Sequence, residues 1–170
     1  MPLELLIDGY NLIRQSPFLR QFDALDLEQG RDALLARLAA YRRVRGSRIT
    51  VVFDGWGNPH LVRRDTSQRG IKVVFTKGGE TADQWIKKEM GAVVEGVVVS
   101  SDREIRDYAA RLGVPSISSE DFDRKMEEAL YSDMKGIEPE ESETRGDRKK
   151  GPSRRLSKKT KKIKSIREKL

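Results

Sequence analysis

The sequence predicts an α/β protein built on a mainly parallel sheet of about five strands. Two observations carry this. Short apolar runs alternate with longer amphipathic stretches along residues 3–135, the pattern of repeated βαβ units. Helix-start signals also recur between the runs.

Taken in order, Leu3-Glu4-Leu5-Leu6-Ile7 is the first strand, closed by Asp8. Ser16-Pro17 opens a short helical turn, with serine as N-cap and proline at the first helical position. A long helix is expected from about Asp26 to Val44, with Leu27, Leu34, Leu35, Leu38 and Tyr41 at helical spacing. Gly46 breaks it, and Ile49-Thr50-Val51-Val52-Phe53 is a buried type of strand. Residues Gly55 to Gly70 are expected as loop. Ile71-Lys72-Val73-Val74-Phe75 is the third strand, followed by a turn at Lys77-Gly78-Gly79. Thr81-Ala82-Asp83-Gln84 is a capping box, with threonine as N-cap and glutamine three residues on. Its helix carries Ala82, Trp85, Ile86 and Met90. Val97-Val98-Val99 is the fourth strand. Ser101-Asp102-Arg103-Glu104 is expected as a second capping box, opening a helix with Ile105, Tyr108, Ala109 and Leu112 inward. Val114 to Ile117 is a short fifth strand, and Ser119 is expected to cap a last helix ending near Met134.

The chain is a domain of residues 1–135 with an acidic linker and basic tail at 136–170, the latter expected to be disordered or partly helical. Of 170 residues, 36% are apolar and 36% charged, enough for a modest core under a very polar exterior. No apolar run approaches the length that spans a bilayer, and the opening residues do not resemble a signal peptide, so the expected location is cytoplasmic. With no cysteine and a single histidine, His60, disulfides, thiolate zinc sites and multi-histidine metal sites are excluded. The net charge of +7 is unevenly spread. From Arg145 to Leu170 thirteen Lys/Arg stand against Asp147 and Glu168, whereas the rest of the chain is slightly acidic. Ile163, Ile166 and Leu170 would form a thin apolar stripe if that end turned helical on a partner.

The informative feature is where the aspartates fall. Asp8 ends the first strand, Asp54 ends the second, Asp83 lies in the first turn after the third, and Asp102 follows the fourth. In a parallel sheet the carboxyl ends of the strands share one edge, where ligands bind. Four acids there are candidates for one cluster, which needs protons or a cation to be stable. Mg2+ or Mn2+ supplies that cation and the chemistry of phosphodiester hydrolysis. Singly, each acid has a plainer explanation: Asp83 and Asp102 stabilise helix dipoles, while Asp8-Gly9 and Asp54-Gly55 are turns. Asn11, three residues past Asp8, either orients a water or phosphate oxygen or steadies a turn.

The stretches Leu6-Ile7-Asp8-Gly9-Tyr10-Asn11-Leu12-Ile13, Val51-Val52-Phe53-Asp54-Gly55, Phe75-Thr76-Lys77 with Glu80-Thr81-Ala82-Asp83, and Val99-Ser100-Ser101-Asp102 together resemble the NYN domain, a PIN-like nuclease fold, and within it the bacterial YacP-type family. The likeness spans most of residues 3 to 125. It implies a three-layer α/β/α sandwich, an acidic metal site using Mg2+ or Mn2+, and endonuclease activity on RNA, with Asp8, Asp83 and Asp102 as principal metal-site acids and Asn11 and Asp54 as supporting members. It also implies a link to translation, with the ribosome as partner. Lys87 departs from the acid expected at that position in several relatives, and the basic tail is expected to lie outside the common domain.

RNA contacts are expected from Trp56, Arg63, Arg64 and Arg69, by stacking and phosphate pairing, and from the tail through Lys149 and Lys150. The leading functional expectation is thus a metal-dependent endoribonuclease; the alternative is a non-catalytic RNA-binding or ribosome-associated adaptor. A receiver-like phosphoacceptor fits worse, because it wants adjacent acids after the first strand.

Overall fold

The structure, a computed structural model, describes residues 2–55, 64–92, 95–136, 164–166 and 168–170. The chain forms β1 (Glu4–Asp8), α1 (Gly9–Gln15), α2 (Pro17–Asp23), α3 (Leu27–Arg45), β2 (Arg48–Phe53), β3 (Arg64–Gln68), β4 (Ile71–Phe75), α4 (Ala82–Met90), β5 (Gly96–Val99), α5 (Arg103–Leu112), β6 (Ser116–Ile117) and α6 (Ser119–Lys135). The strands lie in the order β3-β4-β2-β1-β5-β6. All neighbours are parallel except β3, which runs antiparallel to β4.

Strand side chains alternate between the faces, and each face buries a separate apolar layer. Leu5, Ile7, Val51, Phe53, Val73, Val97 and Val99 pack with Leu34, Leu38 and Tyr41 of α3 and with Phe122 and Met126 of α6. On the opposite face Leu6, Val52, Val74 and Val98 meet Trp85, Ile86 and Met90 of α4 and Ile105 and Ala109 of α5. The result is helices on both sides of a mostly parallel sheet, as expected.

The sheet has six strands rather than about five. The extra one, β3, falls inside the Gly55–Gly70 stretch expected to be loop. Its residues Arg64-Asp65-Thr66-Ser67-Gln68 bury no apolar side chain, so the backbone ladder to β4 holds it and no periodicity announces it. Asp8-Gly9 is not an isolated turn either. The strand leads directly into α1, whose N-cap is Asp8 and whose Leu12 and Ile13 are buried.

Several caps match the expectation. Ser16 caps α2 with Pro17 at the first position, Asp26 caps α3, and the Thr81–Gln84 capping box opens α4. Two differ by one residue: Asp102, not Ser101, caps α5, and Ser118, not Ser119, caps α6. Leu112, expected inward, is 48% exposed, and Leu27, the first of the residues at helical spacing in α3, is 51% exposed; each lies at a helix terminus beyond the reach of the sheet.

At the far end of the chain Ile166 and Leu170 are 7% and 1% exposed and belong to the α3/α6 layer. Buried Tyr41 donates its hydroxyl hydrogen to the backbone oxygen of Leu170 at 2.7 Å. Two members of the expected apolar stripe therefore pack on the body of the protein itself, while Ile163 and the linker lie outside the described residues.

Candidate active site

Because β1, β2, β4 and β5 are parallel, their carboxyl ends meet at one edge. Asp8 is the last residue of β1 and the N-cap of α1. One of its carboxylate oxygens accepts from the Asn11 backbone N–H and the other from the Ser100 hydroxyl, each at 3.4 Å. Burial pushes its pKa from 3.8 up to about 6 against those two bonds, and the negative charges of Asp102 and Asp83 push the same way. Asp8 therefore feels the charge of both other acids. Two glycines permit this close edge. A Cβ on Gly9 would stand 2.4 Å from the Phe53 ring, and one on Gly55 only 1.9 Å from the Thr76 carbonyl oxygen. Asp54, between Phe53 and Gly55, is half-buried.

Asp83 enters from the first turn of α4. Its Oδ2 pairs with the Lys87 ammonium at 2.8 Å, and Lys87 also reaches Glu104 Oε1 of α5 at 2.5 Å. These two carboxylates hold the lysine pKa above its usual range. The other oxygen, Asp83 Oδ1, is buried with no hydrogen-bond partner. Asp102 is exposed, and its Oδ1 accepts from the backbone N–H groups of Glu104 and Ile105 at 2.7 and 3.3 Å.

Asn11 knits this edge together. Its carbonyl oxygen accepts from Ser101 N–H at 2.8 Å and from the Ser119 hydroxyl at 2.6 Å, tying α1 to the start of α5 and of α6. The oxygen is thus filled by protein donors. Ser101 does not cap α5; its hydroxyl accepts from Ser119 N–H at 2.9 Å and donates to Glu120. Ser100 bridges Asp8 and the Asp102 backbone N–H. Sequence reasoning misses the roles of Ser119 and Glu104. The i,i+4 spacing of Asp83 and Lys87 is a readable sign of their pairing; the cross-element bonds leave no local trace.

The expected RNA contacts divide. Arg64 is exposed and pairs in register with Phe75, at the carboxyl end of β4. Arg69 sits in the β3–β4 turn with φ of 54°, beside the opposite end of β4, and so stands away from the acids. Trp56, Arg63, Lys149 and Lys150 lie outside the described residues.

Among the described residues, no three His, Cys, Asp or Glu side chains stand together closely enough to hold a metal ion as they are placed. The donor set nevertheless suits a hard divalent cation: carboxylate oxygens from Asp8, Asp83 and Asp102, one of them the orphaned Asp83 Oδ1.

The YacP-like NYN domain model matches residues 5–168, nearly the whole chain. The chain belongs to the YacP-like NYN domain family. NYN domains are PIN-like nucleases. The match runs through the basic stretch, which the sequence alone places beyond the common domain. A Bacillus subtilis (strain 168) relative, described as uncharacterized protein YacP, is 42% identical over 84 residues, which spans 49% of each chain. Two crystal structures of Rae1 (YacP) from Bacillus subtilis are similar to this NYN domain. One is 31% identical with a TM-score of 0.66, covering 81% of this chain and 80% of the other. The second, of a mutant form, is 29% identical with a TM-score of 0.68, covering 78% and 80%.

Proposed function

We propose that this NYN domain is a metal-dependent endoribonuclease that hydrolyses RNA phosphodiester bonds, with Asp8, Asp83 and Asp102 holding Mg2+ or Mn2+. The carrying observation is the half-buried Asp8 carboxylate, raised in pKa by burial and also by the charges of Asp102 and Asp83, together with the unpartnered Asp83 Oδ1 at the same sheet edge. When bound, such an ion neutralises charge on the phosphodiester and acidifies a water. The chain's own residues prepare the site. Asn11 N–H and Ser100 fix the Asp8 carboxylate, Lys87 fixes one oxygen of Asp83 and leaves the other available, and Asn11 holds the edge rigid. Asp54 adds negative potential at the end of β2. Arg64, with Trp56, Arg63, Lys149 and Lys150, serves the RNA strand. By family resemblance the ribosome is the proposed setting.

One observation favours a second reading, a non-catalytic RNA-binding adaptor: Lys87 already places a cation against Asp83 and Glu104. The test incubates the full chain with single-stranded and structured RNA in Mn2+ or EDTA, alongside Asp8→Asn and Asp83→Asn. Cleavage that needs Mn2+ and falls at least 100-fold in both variants supports the nuclease. RNA binding without Mn2+-dependent cleavage supports the adaptor.

A further inference from the structure

A cleft of about 200 Å³ lies between the start of α3 and the face of β3. Its floor is the partly exposed ring of Phe75, backed by the fully buried Phe53. Phe53 and Phe75, register partners at the carboxyl ends of β2 and β4, stack with ring centroids 5.5 Å apart and 25° between planes. The floor is therefore backed by the residue next to Asp54. Tyr10, two residues past Asp8, packs edge-on against Phe53 at 5.0 Å. Its hydroxyl oxygen accepts from Arg31 Nη1 at 2.8 Å, and the Arg31 guanidinium lies 5.7 Å from the Phe75 ring centre. One cationic plane is thus fixed in the cleft by a residue next to the acidic edge.

The walls differ in chemistry. Along β3, Arg64, Thr66 and Gln68 project to one face and offer hydrogen-bond donors. Along α3, Glu28 and Asp32 offer only acceptors. Two carboxylates against two arginines leave no net positive charge, which disfavours a phosphate in the cleft. An apolar ligand would strand the polar walls. A flat heterocycle with both donors and acceptors on its rim suits these walls: its plane against Phe75, Leu35 and the Arg31 guanidinium, N–H groups toward the acids, carbonyl and ring nitrogen toward Arg64 and Gln68.

We propose that this cleft is a nucleobase subsite for the RNA strand, one that reads guanine beside the scissile phosphate. Guanine presents two adjacent N–H donor groups on one edge and two acceptors on another, matching the acid wall and the β3 wall. The proposal rests on the RNA-directed reading above for its ligand class, and it does not depend on catalysis.

The test measures binding of short single-stranded RNAs, a uridine background with or without one guanine, by fluorescence anisotropy. The protein is the full chain carrying Asp8→Asn, in EDTA, so that no cleavage intervenes. The guanine RNA should bind several-fold more tightly. Asp32→Asn and Gln68→Ala, both exposed positions, should each remove most of that preference while leaving the melting temperature and the affinity for the uridine RNA within twofold. Wild-type protein in Mn2+ should cleave next to guanine, and the two variants should cleave with that preference lost. Equal affinity for both RNAs, or an undiminished preference in both variants, overturns the subsite even if Mn2+-dependent cleavage is intact. Guanine preference in a protein that never cleaves keeps the subsite and sinks the nuclease reading.

Discussion

Asp8 shows how a single side chain can oppose the fold that holds it. Its pKa is raised to about 6, so the folded state holds a proton that the unfolded chain, near 3.8, gives up earlier. The associated stability is present below about pH 4 and is lost as pH climbs through 6. Asp8→Asn, which can still cap α1, should therefore be more stable than the parent at neutral pH, by as much as about 3 kcal/mol, with the difference vanishing near pH 4. Denaturant melts in EDTA across pH 4–8 check this. Adding Mn2+ should raise the melting temperature of the parent and not of the variant. Lys87 makes the complementary case. Lys87→Gln removes a cation held against Asp83 and Glu104, and divalent binding should tighten by on the order of tenfold, measured by Mn2+ titration calorimetry. The positions of Asp8, Asp83 and Asp102 after strands were legible because strand ends are marked by apolar runs. The Lys87–Glu104 and Asn11–Ser119 contacts were not, since they join residues far apart in sequence through helix packing.

Among the elements, those with an apolar period or a capping signal could be read directly: β1, β2, β4, β5, α3 and α4 fall within a residue or two of their expected bounds. The misses have a common cause. The edge strand β3 owes its place to backbone pairing with β4, not to side-chain burial, and α1 follows β1 with no intervening linker to mark a helix start. Each element also exposes a specific weakness. Thr81→Ala breaks the capping box of α4, removing the bond to Gln84 N–H, and should cost about 1 kcal/mol, seen as a lower melting temperature. Gly55→Ala should be far more damaging. Its Cβ would meet the Thr76 carbonyl oxygen, backbone that cannot rotate away, and the β2–β4 junction beside Asp54 would have to part. A loss of several kcal/mol and of activity together is expected, against a neutral effect for Gly91→Ala, which has open space.

At the scale of the molecule, an acidic body carries a basic segment whose far end is fastened into the core. Neutralising Lys149, Lys150, Arg154, Arg155, Lys158 and Lys159 to glutamine should weaken RNA affinity at moderate salt and flatten its salt dependence by up to about four units of log–log slope, with melting temperature unchanged. Truncation before Ile166 is a different perturbation, since it strips Ile166 and Leu170 from the α3/α6 layer and leaves the Tyr41 hydroxyl without its acceptor. The Tyr41–Leu170 bond closes a loop of 129 residues, which makes it the kind of long-range contact that forms late. Loss of this fastening would bare the apolar layer between α3 and α6 where Ile166 and Leu170 cover it, and limited proteolysis should then cut there sooner than in the intact protein.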